Sequence, residues 1–253
     1  MTSGSAASSG RLLLVATPLG NLGDITVRSL EALRSADAVL CEDTRRTGLL
    51  FKLLGITAPL QPYHAHNEHA VLTRVVEQIR NGRTVVLVSD AGTPGVSDPG
   101  FLLVRALLEQ GLEVDVLPGP TALIPALLLS GFPCDRFVFE GFLPLKKGRK
   151  TRIESLRSES RTVILYESPH RILRTLGELK TALGPERRAC LARELTKLHQ
   201  ETLRLSLGEL EAACTQRPPK GEMVLVIEGA KARPDAFESR ENEEDAKTAG
   251  AAD

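Results

Sequence analysis

Thr84-Val85-Val86-Leu87-Val88-Ser89-Asp90-Ala91-Gly92-Thr93-Pro94-Gly95-Val96-Ser97-Asp98-Pro99-Gly100 is the stretch on which the reading of this chain turns. Its first residues are β-branched or leucine almost throughout, which suits a strand covered on both faces. The glycines, prolines and aspartates that follow break the strand and form a loop at its carboxyl end. A helix is expected over 99–110, with Asp98 as its cap, Pro99 opening it and Gly111 supplying the left-handed residue that closes it. Strand, glycine-rich loop and helix in that order is the unit of a parallel sheet with crossover helices.

The pattern extends outward on both sides. Strands are expected over 12–17, 38–41 and 113–117, and helices over 26–35 and 67–81, the second opened by Asn67 and closed by Gly82. Beyond Pro118-Gly119-Pro120, strands are expected over 136–142, 162–167, 189–194, 200–206 and 223–228 with only two long helices among them, so this half reads as a mixed sheet. One of those helices begins at Ser168-Pro169 and places Ile172, Leu173, Leu176, Leu179 and Leu183 on one side. The fold class is therefore α/β, with two α/β domains over 11–117 and 118–230. The polar tails, 1–10 and 231–253, are too poor in apolar residues to order themselves.

At 253 residues, 42% hydrophobic and 25% charged, the chain is neither a disulfide-stapled peptide nor wholly disordered. No apolar run approaches the ~18–20 residues that span a bilayer. Residues 1–10 lack a basic stretch followed by an apolar one, so a cytoplasmic enzyme without membrane contact is expected. Cys41, Cys134, Cys190 and Cys214 are widely spaced, and neither a disulfide nor a zinc knuckle is expected. Charge is uneven: residues 11–117 carry 10 basic and 12 acidic side chains, residues 118–230 carry 18 and 13, so the halves stand at −2 and +5. Lys146, Lys147, Arg149, Lys150 and Arg152 fall together around Gly148 and read as a mobile basic loop suited to phosphates.

Three strand ends run into Gly/Pro/Asp loops, at 17–24, 90–100 and 118–122, and ligands of open α/β sheets sit at such ends. Glycine lets backbone amides approach a ligand, and aspartate accepts hydrogen bonds from ribose hydroxyls or an amino group. Neither the dinucleotide fingerprint nor the phosphate loop occurs. By elimination the ligand is a nucleoside without a phosphate chain, of which S-adenosylmethionine is the common example. His64, His66, Glu68 and His69 lie close in sequence, but Asn67 as a helix cap splits them between an extended stretch and a helix, so no metal site is expected. No Gly-x-Ser-x-Gly elbow supports a hydrolase. Arg193-Glu194-Leu195-Thr196-Lys197-Leu198-His199 and Pro219-Lys220-Gly221-Glu222 each bring proton-transferring groups to a strand end, with solvated ion-pair loops as the plain alternative.

Taken together, residues 14–26, Glu42-Asp43-Thr44-Arg45, 88–100, Tyr166-Glu167-Ser168-Pro169-His170-Arg171 and Ala192-Arg193-Glu194-Leu195-Thr196-Lys197 resemble the ribosomal RNA small subunit methyltransferase I family of the tetrapyrrole-methylase-like superfamily. The resemblance implies two α/β domains with S-adenosylmethionine in the cleft between them, a homodimer, and 2′-O-methylation of a cytidine in the decoding region of 16S rRNA within the assembled small subunit. By position it implies cofactor contacts from Pro18, Asp90, Gly92, Thr93, Ser97, Asp98, Thr121, Ala122, Tyr166 and Ala192. Glu194, Lys197 and Glu222 become candidates for the base. Arg45, Arg46, His66 and Asn67 join the basic stretch as candidate RNA contacts. Arg46 stands where the family pattern has His, and Leu205 where it has Gly. A small-molecule methylase sharing the same cleft, and a non-catalytic ribosome assembly factor, are the rival readings.

Overall fold

The structure is a computed structural model that describes residues 10–230. Both expected tails lie outside the described residues, apart from Gly10.

Five strands, β1 (Arg11–Val15), β2 (Ala38–Cys41), β3 (Leu60–Pro62), β4 (Thr84–Leu87) and β5 (Glu113–Leu117), form an all-parallel sheet in the order β3-β2-β4-β1-β5. The helices between them are α1 (Val27–Ser35), α2 (Thr44–Leu54), α3 (Glu68–Arg80) and α4 (Phe101–Leu108). Strand alternation divides β1 between two cores. Leu13 and Val15 pack with Leu33 of α1 and Phe51 of α2. Leu12 and Leu14 pack on the other face with Ile79 of α3 and Leu103 and Leu107 of α4. Each such fully buried aliphatic side chain contributes roughly 1.5–3 kcal/mol. The helices after β1 and β2 thus cover one face and those after β3 and β4 the other, so the chain reverses between the neighbours β1 and β4 and leaves a crevice at their carboxyl ends.

The second sheet contains β6 (Phe137–Phe142), β7 (Thr162–Glu167), β8 (Arg188–Arg193), β9 (Glu201–Ser206) and β10 (Met223–Ile227) in the order β6-β7-β10-β8-β9. Only β6 and β7 pair in parallel, so the sheet is mixed. α6 (Arg149–Ser155), α7 (Ile172–Leu183) and α8 (Leu207–Gln216) cover one face, where Ile153, Leu176 and Leu210 meet Leu165 and Leu225. α5 (Leu123–Ser130) covers the other through Ala126 and Leu127.

Local details depart from the sequence reading. β3 was not expected, because three edge residues ending on a proline carry no strand pattern. α4 begins at Phe101 behind Gly100 and has no side-chain cap, so Asp98 does not cap it. Asn67 sits at the head of α3, yet its carboxamide accepts from the His64 N–H and donates to the Pro62 carbonyl instead of capping. α7 starts at Ile172, later than Ser168. Only part of the expected basic loop is a loop: Lys146 and Lys147 lie in the turn before α6, Arg149, Lys150 and Arg152 lie on the helix, and Arg149 is buried there. Gly82 and Gly111 do adopt the left-handed conformation, at φ 86° and 66°. Among the described residues no helix is long and apolar enough to cross a membrane, and Cys41, Cys190 and Cys214 are buried as free thiols.

Candidate active site in the cleft between the sheets

Three loops meet at the crevice. Thr17 and Gly92 exchange backbone hydrogen bonds of 2.9 Å in both directions, joining the loops after β1 and β4. The Thr17 hydroxyl donates to the Ser89 carbonyl at 3.1 Å, and the Ser89 hydroxyl to the Gly92 carbonyl at 3.0 Å. The Thr93 hydroxyl donates to the Pro120 carbonyl at 2.9 Å and ties in the loop after β5. Gly92 holds φ 84°, and a Cβ there would press on Leu19, so the loop needs a glycine at that point.

These loops form one wall of a cavity of about 300 Å³, and the second sheet forms the other with Tyr166, Glu167, Ala192 and Glu222. That volume sits at the lower end of small-molecule sites. Nine of the ten expected cofactor residues line it: Asp90, Gly92, Thr93, Ser97, Asp98, Thr121, Ala122, Tyr166 and Ala192. Pro18 does not; it is buried beside Thr17. Tyr166 is gripped edge-on by Phe139 and Phe142, with ring centroids 5.0 and 5.7 Å away.

The cavity wall is acidic on the first-domain side. Burial pushes Asp98 up to about 7, aided by the charges of Glu42 and Asp90 and opposed by the Ser89 hydroxyl. Burial, then Asp90, raises Glu42 as well. Glu42, at the carboxyl end of β2, was missed as a site residue, although the strand-end rule that located Asp90 applies to it equally. Asp90 is held from outside by Arg46, whose guanidinium lies 3.1 Å from its carboxylate.

On the facing side the three candidate base residues form one cluster. The Lys197 ammonium lies 2.9 Å from Glu194 and 3.0 Å from Glu222, and the Glu222 N–H donates to Glu194 at 2.9 Å. Of the three, only Glu222 lines the cavity. Burial alone would lower Lys197, but the two carboxylates outweigh it and hold the ammonium above its ordinary range. Burial would raise Glu194, but the Glu222 N–H and Lys197 bring it below its ordinary value. Gly20 and Gly221 seat this cluster: a Cβ on either would come within 2.3 Å of Lys197 or Glu194 respectively. Both glycines lie in stretches the sequence singles out, but their packing against Lys197 and Glu194 is not written there.

Among the described residues only Ser97, Glu194 and Thr196 are non-glycine residues with positive φ, at 65°, 52° and 66°. One lines the cavity and two belong to the turn that carries Lys197. Strain of about 1–3 kcal/mol per residue persists only where the surroundings over-determine it, and it gathers at functional sites.

The candidate RNA contacts are dispersed. Arg45 is exposed and paired with Asp43, and Arg46 bridges to the cavity wall. His66 is exposed, and Asn67 is engaged within its own turn. Lys146, Lys147 and Lys150 are exposed, and Arg152 pairs with the buried Glu140 carboxylate. Arg149 is not on that face. Only 4% exposed, its guanidinium is taken up by Glu178, Thr175 and the Pro144 carbonyl. Among the described residues no three His, Cys, Asp or Glu side chains converge as metal ligands do, and His64 and His66 merely meet edge-on at 6.0 Å.

Residues 11–211 match the family model of the tetrapyrrole (corrin/porphyrin) methylases. A protein of Synechocystis sp. named ribosomal RNA small subunit methyltransferase I is 51% identical over 222 residues, covering 87% of this chain and 80% of its own length. A protein of that name from Thermotoga maritima is 43% identical, covering 87% of this chain and 99% of its own. The chain belongs to the small subunit methyltransferase I family of tetrapyrrole methylases. The family fold recurs in solved structures. Uroporphyrin-III C-methyl transferase from Thermus thermophilus, complexed with S-adenosyl homocysteine, superposes with a TM-score of 0.62 at 21% identity, covering 87% of this chain and 97% of that one.

S-adenosylmethionine is the cofactor of this family. The cavity suits it chemically: carboxylates Asp90, Asp98 and Glu42 face a space for a ligand that carries a sulfonium and an ammonium, while Leu19, Val96 and Ala192 offer apolar surface.

Proposed function

We propose that this chain is an S-adenosylmethionine-dependent methyltransferase of ribosomal RNA. In the finer reading it methylates the ribose 2′-hydroxyl of a cytidine in the decoding region of 16S rRNA, acting as a cytoplasmic homodimer on the assembled small subunit. The names of its relatives support ribosomal RNA as the acceptor class. The observation that carries the hydroxyl chemistry is the ammonium of Lys197 bound between Glu194 and Glu222, with Glu222 on the cavity wall.

Bound at this site, the cofactor supplies a methyl group on a positive sulfur, open to in-line attack. The roles of the protein are then to hold the ribose hydroxyl in line and to take its proton. Orientation of this kind supplies a large part of such a barrier. The Glu222 carboxylate would accept the proton of the ribose hydroxyl that takes up the methyl group. Lys197 stays an ammonium, held so by its two carboxylates, and acts through Glu222, whose carboxylate it holds in place at the cavity wall. Glu194 positions Lys197. Both its bonds, from the ammonium and from the Glu222 N–H, fall on Oε1, and Glu194 does not line the cavity, so it is not the group that meets the hydroxyl.

The test is tritium transfer from labelled cofactor to small subunits purified from a strain lacking this activity, with protein-free rRNA alongside and nucleoside analysis after digestion. Label in 2′-O-methylcytidine on subunits alone is expected. Label in another nucleoside, or on a base carbon or nitrogen, overturns the 2′-O-cytidine reading, and no label despite cofactor binding overturns the enzyme. Glu222→Gln should lower single-turnover transfer by about 10²–10⁴-fold, the usual loss for a proton acceptor. Light scattering tests the dimer.

A further inference from the structure

The cleft absorbs the strained turn and the acidic wall but leaves most of the basic half of the chain unused. A second concavity, of about 730 Å³, lies between α6 and α7 on the far side of the second sheet from α5. Its first wall is one face of α6 and the turn after it, where Lys150, Ile153, Glu154 and Arg157 recur at the i, i+3, i+4, i+7 spacing of a single helix face. Its second wall is α7, through Leu173, Arg174, Gly177 and Glu178. At Gly177 a Cβ would come 2.9 Å from the Glu211 carboxylate of α8, and the missing side chain keeps the floor open.

The charges in this groove are not balanced internally. Its carboxylates are each spoken for: Glu178 by Arg149 and Arg174, Glu154 by Arg157, Glu211 by Lys180. Lys146 and Lys150, both exposed, make no ion pair among the described residues. Among the described residues no aromatic side chain lines it. That composition argues against a protein partner, whose hot spots want aromatic anchors, and against unstacked single-stranded bases. It fits the phosphate backbone of a folded RNA, which is recognised by shape and charge.

The groove is also joined to the cleft. Arg174 donates to Glu178 at 2.9 Å, Glu178 accepts from Arg149 at 2.6 Å, Arg149 donates to the Thr175 hydroxyl at 2.7 Å, and that hydroxyl donates to Glu167 at 2.6 Å. Glu167 lines the cofactor cavity. Arg149, expected at the surface, is the buried strut between the two concavities.

We infer that the α6–α7 groove is a second RNA site, a dock for the phosphate backbone of a folded RNA segment, held in fixed register with the cleft by the Arg149–Thr175–Glu167 strut. This rests on ribosomal RNA being the acceptor, and its test separates the two. Binding of fluorescently labelled protein to small subunits, and to protein-free 16S rRNA, is titrated at several salt concentrations for wild type, Lys146→Ala/Lys150→Ala, and a control, Arg28→Ala/Arg34→Ala, whose side chains are exposed on α1. Loss of two phosphate contacts should reduce the slope of log K against log salt by about 1.4–1.8 and weaken binding about tenfold at low salt, on both targets. Cofactor affinity should be unchanged, and the control should bind like wild type. An unchanged slope in the groove variant, or an equal loss in the control, overturns the dock. Loss on subunits without loss on protein-free rRNA also overturns it, by pointing to a ribosomal protein as the partner. Wild-type protein that binds RNA through the groove but transfers no methyl group overturns the enzymatic reading and leaves the dock standing.

Discussion

Replacing Asp98 by Asn should make the empty protein more stable and its cofactor binding weaker, with both effects vanishing as the pH falls. Burial beside Glu42 and Asp90 pushes the Asp98 carboxyl from 3.8 up to about 7. Three pH units at 1.36 kcal/mol each set a ceiling of about 4 kcal/mol, and partial exposure to water reduces it to roughly 2 kcal/mol. The sign follows from proton binding. The folded state holds this proton more tightly than the unfolded state, so the group favours folding fully below pH 3.8 and the contribution is lost as the pH rises through about 7. At pH about 8 the charged form therefore burdens the folded protein, and Asp98→Asn removes the burden. At roughly 2–4 °C per kcal/mol for a chain of this size, the melting temperature should rise by about 4–8 °C at pH 8 and not at all near pH 4.

A cation in the cavity reverses the balance, because the carboxylate that is costly alone becomes its partner. Cofactor affinity in the wild type should climb with pH by up to about tenfold per unit below pH 7 and level off above it, with a proton released on binding. Asp98→Asn should bind roughly 30-fold more weakly at pH 8, the affinity equivalent of the same 2 kcal/mol. Calorimetric titration in two buffers of different ionisation enthalpy counts the proton directly. An Asp98→Asn protein that melts lower than wild type at pH 8, or a cofactor affinity flat across that range, would refute the reasoning.

Three further outcomes follow from the same contacts. Lys197→Met should lower single-turnover transfer by about 10²-fold or more with cofactor affinity unchanged, and Lys197→Arg should recover part of it, since a guanidinium also bridges two carboxylates; a Met variant within threefold of wild type removes Lys197 from the mechanism. Gly20→Ala puts a Cβ 2.3 Å from the flexible Lys197 stem, so the stem gives way, stability shifts by less than about 1 kcal/mol, and transfer still falls about tenfold because the ammonium is displaced. Thr175→Val leaves Glu167 and Arg149 each short of a buried hydrogen bond and should cost about 1–3 kcal/mol in urea unfolding with the slope unchanged; a neutral result means the strut carries no stability.

What the sequence revealed and what it hid divide along physical lines. Every strand except β3 was legible because covered strands are written as local runs, such as Met223–Ile227, and the loops of the crevice because a parallel sheet places ligands at strand ends. The individual contact residues came from the family resemblance instead: nine of the ten line the cavity, while Pro18 is buried beside Thr17 and does not. Arg149 and Asp98 were misread for a common reason: each was judged by its neighbours in sequence, as part of a basic run and as a helix cap, but its state is set by residues remote along the chain. Arg149 answers to Glu178, 29 residues on, and Asp98 to its burial and then to Glu42, at the end of another strand. The strained turn was hidden more deeply, since nothing in Glu194-Leu195-Thr196 marks two left-handed residues. Such a turn stands only because β8 and β10 are locked together below it, with Glu194 N–H bonded to the Glu222 carbonyl at 2.9 Å and the Glu222 N–H returned to the Glu194 carboxylate. The stability of the mixed sheet is thereby used to hold an ammonium between two carboxylates, one of them on the cavity wall, an arrangement these residues would not keep on a free loop.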